Sequence, residues 1–289
     1  MIDDKTKQTK AMYEKYPFPS KPILNFDKDA FNNFLPDDLT AKIKKSIVLD
    51  AGCGTGMGIY ALSHLAKEVY GFDLSQTSID MAKENMNKLC IKNTILKQGD
   101  IFDFPFDKKF DFIFSMGVLH HTKNARMGFD ILCNHLNEGG YVVIALYNKY
   151  GGIRYRLKRF IGSFIKDEEE RMEFARKHLV KRLGRTSNDR LDDIYIADGY
   201  LNPVVSFHSI DEVLEWFADN NIEFTCLAKP ACLKDLFKLY INLDDENYKR
   251  VFRNLSTHTQ RIILQFLWGA YRYSGYFTMI GRKKDGGNP

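Results

Sequence analysis

No run of eighteen apolar residues occurs in this 289-residue chain, so the sequence predicts no helix that spans a bilayer. The opening Met1-Ile2-Asp3-Asp4-Lys5 lacks the apolar stretch of a signal peptide. Cysteine is scarce and unpatterned: Cys53, Cys90, Cys133, Cys226 and Cys232 are odd in number and follow no metal-ligand spacing. A disulfide framework and a zinc site drop out, no metal is expected, and a reduced cytoplasmic compartment fits. Two nucleotide signatures are missing as well. No Gly-Lys-Ser/Thr follows the glycine-rich stretch, which removes a P-loop. Gly-x-Gly-x-x-Gly fails because Met57 takes the sixth position counted from Gly52. With 44% hydrophobic residues, the chain can bury one sizeable core and a smaller accessory layer.

What is present centres on Ile47-Val48-Leu49-Asp50-Ala51-Gly52-Cys53-Gly54-Thr55-Gly56-Met57-Gly58. Apolar residues run into a carboxylate and then into alternating glycines, the pattern of a buried parallel strand ending in a tight turn that opens a helix. Glycine there permits positive φ and leaves no Cβ between backbone and ligand. Three further segments follow in order: Val69-Tyr70-Gly71-Phe72-Asp73, Ile95 to Ile101 with Asp100, and Phe110 to His121, which ends Ser115-Met116-Gly117-Val118-Leu119-His120-His121. Asp73 falls 21 residues after Gly52, where a doubly wound fold places a ribose-binding carboxylate.

Together these segments, covering about residues 46 to 146, resemble the class I S-adenosylmethionine (SAM) dependent methyltransferases. Asp50-Ala51-Gly52-Cys53-Gly54-Thr55-Gly56 is similar to that family's motif I, and Val118-Leu119-His120-His121 to the segment after its fourth strand. The resemblance implies a Rossmann-like α/β sheet of seven strands, mostly parallel with the last antiparallel, and SAM as cofactor, leaving S-adenosyl-L-homocysteine. By the same resemblance the cofactor lies against Asp50, Gly52, Cys53, Gly54 and Gly56, against Asp73 and Leu74, against Asp100 and Ile101, and against Ser115 and Met116. Asp73 would take the ribose hydroxyls, since a carboxylate accepts two hydrogen bonds at once. Each aspartate also has a plainer reading as a helix cap or strand end.

The rest of the chain divides around that core. Residues 1–40 form an N-terminal segment, with a short helix over 10–16 broken by Pro17-Phe18-Pro19. Relatives often fold such a segment over the cofactor. Tyr13 and Tyr16 are then candidates to cover SAM, their ring faces attracting the sulfonium, with ordinary surface packing as the alternative. Residues 41–146 are the SAM-binding core, with helices over 57–65, 75–89 (Ser75 as cap) and 127–136, and a fifth strand over 141–146. Residues 147–208 are a helical cap insertion. Residues 209–289 close the fold with a capping box at Ser209-Ile210-Asp211-Glu212, a sixth strand over 222–227 and a seventh over 276–282, enclosing a second helical insertion over 229–275.

The acceptor side is read from position. His120, His121 and Tyr147 are the candidate catalytic groups, histidine because its pKa lies near neutrality. Tyr16, Asn148, Tyr150, Arg154, Tyr200 and His208 are candidates for holding the acceptor. Each has packing as its alternative. Between Arg154 and Arg190 stand twelve Lys or Arg against six acids, a surplus of +6 where the whole chain carries +5. A solvated helical face with internal ion pairs accounts for this; so does an anionic partner, whether a charged small acceptor, a membrane surface or an RNA. The function expected is methyl transfer to a small-molecule acceptor at O, N, S or C. An RNA (tRNA) modifying methyltransferase and a SAM-binding regulator without turnover stand as alternatives.

Overall fold

The computed structural model describes residues 3–19, 35–151, 153–183, 190–227 and 275–286, with isolated helical positions between 259 and 266. The expected insertion over 229–275 therefore lies almost wholly outside the described residues.

Seven strands form one sheet: β1 (Ile47–Ala51), β2 (Glu68–Asp73), β3 (Thr94–Gln98), β4 (Phe110–Met116), β5 (Leu136–Tyr147), β6 (Ile222–Leu227) and β7 (Tyr276–Lys283). Their order is β3-β2-β1-β4-β5-β7-β6. Pairing is parallel from β3 through β5, and β7 runs antiparallel to both β5 and β6. Helices α1 (Asp4–Lys15), α2 (Asp37–Ile43), α3 (Met57–Ser63), α4 (Gln76–Lys88), α5 (Ala125–Asn134), α6 (Ile153–Gly162), α7 (Glu168–Leu183), α8 (Arg190–Ile196) and α9 (Ile210–Asp219) follow in chain order, with a π turn at Ala197–Leu201.

Alternation along the strands builds the two cores. Leu49, Ile113, Val142 and Ile144 face one side, packed with Phe129 and Leu132 of α5 and Val213, Trp216 and Phe217 of α9. Their neighbours Val48, Phe112 and Val143 face the other, against Leu39 and Ile43 of α2, Ile59 and Leu62 of α3, and Ile79, Ala82 and Met86 of α4. A period of two on strands covered on both faces gives near-continuous apolar runs. The capping box forms as expected: Ser209 accepts from the Glu212 amide while Glu212 reaches back to the Ser209 amide. Ser75 caps α4 by accepting from the Ser78 amide.

Some boundaries move outward. α1 starts at Asp4 because the Asp3 side chain accepts from the Thr6 amide, and α5 starts at Ala125 because Asn124 accepts from the Met127 amide. β5 begins at Leu136, paired with Phe110 before a register shift. The strand order reverses between β1 and β4. In such a sheet the crevice beyond the carboxyl ends of the strands at that point is where ligands bind.

Candidate active site

The turn after β1 is held open by three left-handed glycines, Gly52 at φ +82°, Gly54 at +52° and Gly56 at +95°. A Cβ on Gly52 would strike the Val118 side chain, and one on Gly54 the Phe18 carbonyl. The amides of Gly52 and Cys53 donate to the Phe72 carbonyl, at 2.8 and 3.0 Å, which ties the turn to β2. Gly56 heads α3 and lets it approach α4, where a Cβ would sit 3.0 Å from that of Ala82.

Asp73, at the end of β2, locks this turn to the next helix. Its Oδ2 accepts from the Gly54 amide and its Oδ1 from the Ser75 amide, both at 2.9 Å. Burial pushes its pKa up, and the two amides pull against that. Each carboxylate oxygen retains a lone pair for a ligand. Asp100 accepts from the Phe102 amide at 3.0 Å, closing a tight turn after β3.

A cavity of about 390 Å³ opens over these groups, within the ~300–1,000 Å³ usual for small-molecule sites. Of the residues expected to bind, Tyr13, Gly52, Gly54, Asp73, Leu74, Asp100, Ile101, Met116 and His121 line it. Its roof is α1, which presents Thr6, Thr9 and Tyr13. Three contacts hold α1 in place. Glu14 accepts from the Gln76 and Thr77 amides at 2.8 and 3.0 Å, and from the Thr77 hydroxyl. Thr55 donates its amide to the Phe18 carbonyl at 3.1 Å and its hydroxyl to the Pro19 carbonyl. The Tyr13 hydroxyl donates to Asp198 at 2.7 Å and accepts from Asn202 at 3.1 Å.

Asp198, in the π turn, brings the far wall to His121. The His121 Nδ1 lies 2.9 Å from the Val204 carbonyl, which only accepts, so the proton sits on Nδ1 and Nε2 presents its lone pair. That Nε2 is buried, without a hydrogen-bond partner, and 3.7 Å from Asp198 Oδ1. Burial depresses the His121 pKa, with Asp198 opposing the shift, so the ring is neutral near pH 7. The Thr9 hydroxyl is also buried without a partner. Both residues line the cavity, and each keeps one unsatisfied polar atom just beneath its surface.

The remaining expected site residues do not line the cavity, for identifiable reasons. His120 is fully buried behind its neighbour, its ring 3.9 Å from that of Tyr147, and burial holds its pKa well down. Tyr147 packs on Tyr276 at 4.6 Å and Phe207 at 5.7 Å. Both ring nitrogens of His208 are engaged, Nε2 with Ser206 at 2.7 Å and Nδ1 with Glu212 at 2.9 Å, which makes it a strut between the segment ahead of α9 and that helix. Asn148 is buried and accepts from the Tyr150 amide, closing the turn after β5; the Tyr150 ring stays half-buried outside the cavity.

Tyr16 caps α1 and, with Tyr200, packs on Met172 and Ala175. The Arg154 side chain lies outside the described residues. Cys53 and Ser115 are core positions. Asp50 lies behind the turn with its carboxylate against Gly58, and burial together with the Asp73 charge pushes its pKa up to about 7. The lining groups that were not among the expected site residues include Thr6, Thr9, Phe18, Asp198, Tyr276 and Thr278. For the two threonines and Tyr13 the available signal is their shared helix face.

A family profile described as "Methyltransferase domain" matches residues 42–220. The chain belongs to the class I SAM-dependent methyltransferases. An uncharacterized protein of Synechococcus is 24% identical over 78% of this chain and 60% of its own length. The mitochondrial ubiquinone biosynthesis O-methyltransferase of Dictyostelium discoideum is 28% identical over 48% of this chain and 47% of its own. The chain thus spans about half to three fifths of the curated relatives it matches.

Among solved structures, PKMT2 from Rickettsia typhi in complex with AdoHcy aligns with TM-score 0.60 and 18% identity, over 95% of this chain and 54% of that one. The [4+2]-cyclase SpnF aligns with TM-score 0.52 and 14% identity over 97% of both chains. At these identities the likeness concerns the fold. SAM is the cofactor of the family, and this site fits it: a glycine turn without Cβ atoms, a buried carboxylate with spare lone pairs, and a cavity of ligand size meet at the strand-order reversal.

Proposed function

We propose that this methyltransferase-family chain transfers the SAM methyl to a small-molecule acceptor inside the roofed cavity. The observation that carries the reading is the lining itself. Among the described residues it holds aromatic, hydroxyl and carboxylate groups and no Lys or Arg, and α1 closes over it. A polymer with a phosphate backbone calls for an open groove with cations. Two arginines of the basic segment are also committed within it. Arg171 donates to the Ile165 carbonyl, and Arg176 pairs with Asp193. That favours the small acceptor over the RNA alternative.

In this reading Asp73 holds the ribose, Asp100 and the Ile101 backbone the adenine, and Gly52 and Gly54 admit the amino-acid end. When bound, SAM supplies a methyl on a positively charged sulfur, ready for in-line displacement. The chain's own tasks are alignment and exclusion of water. Tyr13 covers the site from α1, where its ring face suits a neighbouring cation. His121, neutral and on the cavity wall, takes a proton at Nε2, the nitrogen buried beside Asp198, from an acceptor that must lose one, and Asp198 at 3.7 Å stabilises the imidazolium so formed. Residues 1–40 act as the lid, 41–146 as the cofactor core, 147–208 as the cap that contributes Asp198, and 209–289 as the end of the core.

Calorimetry with S-adenosyl-L-homocysteine, followed by labelled-methyl transfer to panels of small hydroxyl and amine acceptors and to tRNA, tests the reading. Turnover of a small acceptor that is insensitive to salt is expected. Transfer confined to tRNA, or binding of the product without any transfer, would overturn it in favour of the RNA or regulator alternative.

A further inference from the structure

The outer face of α6 takes no part in the site described above. Ile153, Leu157, Phe160 and Ile161, with Phe164 just beyond the helix end, recur at helical spacing. At 3.6 residues per turn they form one stripe about 100° wide. All five are exposed, from 46% at Ile161 to 70% at Phe164, and the Phe160 and Phe164 rings meet edge to face at 5.0 Å. Single exposed apolar side chains are ordinary, whereas a contiguous row of five marks a contact surface.

The helix cannot roll to hide this row, because its other face is fixed. Tyr155 donates to the Gly199 carbonyl, Arg159 donates to the Gly199 and Asn202 carbonyls, and Arg156 donates to the Lys149 carbonyl at 2.8 Å while lying over the Phe207 ring.

Charge identifies what the stripe meets. From Ile153 to Gly162 the helix carries Arg154, Arg156, Lys158 and Arg159 and no acidic residue. The bonds of Arg156 and Arg159 end on neutral carbonyls, which leave their charge uncancelled. An apolar stripe on a helix bearing only positive charge matches the boundary between acyl chains and anionic headgroups. An RNA would answer the charge but not the aliphatic side chains, since strand binders stack bases on aromatic faces. No helix among the described residues is long and apolar enough to cross a membrane, so a helix such as α6 can only lie on the surface. We propose that α6 docks the protein on an anionic membrane surface, its apolar stripe seated at the headgroup boundary. The contact does not depend on the methyl-transfer reading, although Tyr155 links α6 to the turn that carries Asp198.

Co-sedimentation of the full chain with phosphatidylcholine vesicles, with and without phosphatidylglycerol, tests this. Pelleting is expected with the anionic vesicles, with loss on the neutral ones and weakening as salt rises. Phe160→Glu combined with Phe164→Glu is expected to abolish pelleting, while calorimetry with S-adenosyl-L-homocysteine gives the wild-type affinity and so reports an intact fold. Failure of the wild type to pellet with anionic vesicles would overturn the proposal, as would pelleting that survives the double glutamate variant. So would self-association that the double variant removes in the absence of any vesicle binding, which would assign the stripe to a second copy.

Discussion

Replacing Asp73 by Asn separates the structural role of this carboxylate from the cofactor-binding role proposed for it. Its oxygens each accept one backbone amide at 2.9 Å, from Gly54 and from Ser75. The Asn side chain has nearly the same shape but one acceptor, so one amide would face an NH2 group. Losing a charge-assisted bond and leaving a buried donor unsatisfied removes about 2–4 kcal/mol of stability. The turn and the start of α4 would loosen together. Binding should fall further, because the carboxylate's remaining lone pairs are what a ribose would use. Loss of one such bond, about 2.3 kcal/mol, is a factor of about 50 in affinity.

Thermal melting with and without S-adenosyl-L-homocysteine reads both effects. At a ligand concentration about 100 times the wild-type Kd, the wild type gains about 2.7 kcal/mol. A variant binding about fiftyfold more weakly gains only about 0.6 kcal/mol at the same concentration. A lower melting point with an undiminished ligand-induced shift would show that Asp73 serves the turn alone and would refute the cofactor assignment at this position.

Three other outcomes are expected. Gly54→Ala places a side chain against the Phe18 carbonyl in a left-handed residue; backbone strain and loss of the Thr55 bonds should cost about 2–4 kcal/mol and speed product dissociation in stopped-flow measurements. For His121, burial keeps the folded pKa below 6.5, so activity with a proton-losing acceptor should rise with pH through a value under 6.5 and stay flat above it. His121→Gln should abolish that acid limb and lower kcat by about 10²–10⁴, and an unchanged limb would exclude the role. Asp50→Asn should stabilise the ligand-free protein increasingly as pH rises. The folded pKa of about 7 exceeds the ordinary 3.8, so the stability this group contributes is complete at low pH and lost on the way to pH 7. About three pKa units bound the gain at about 4 kcal/mol, and melting curves of both proteins from pH 4 to 8 would check it.

Where a local signal decides a local structure, the sequence was readable. Ile47 through Gly58 predicted a strand, a left-handed turn and a helix start, and Ser209 with Glu212 predicted the first turn of α9, because each pattern satisfies its own backbone groups. The misjudged starts of α1 and α5 have the same cause: Asp3 and Asn124 cap those helices ahead of the first apolar residue that suggested them. β5 extends back to Leu136 because Phe110 pairs across a register shift, an interaction 26 residues away that no window of alternation contains.

The acceptor wall was less readable because it has no local signature. Tyr13, His121, Asp198 and Tyr276 come from a helix ahead of the sheet, a turn after β4, a π turn in the cap and the last strand, and the Tyr13–Asp198 hydrogen bond spans 185 residues. Position beside a strand end or a helix start suggested Tyr147, Asn148 and His208, while His120 and His121 came from the segment that resembles the one after the family's fourth strand. The two adjacent histidines show why such a guide falls short. Leu119–His121 is a 3-10 turn, which rotates successive side chains by about 120°. One imidazole is therefore driven behind the wall against Tyr147 while its neighbour faces the cavity. The base in the proposed reaction is set by that one-residue difference in rotation, which is fixed where the His121 Nδ1 proton meets the Val204 carbonyl 83 residues later in the chain.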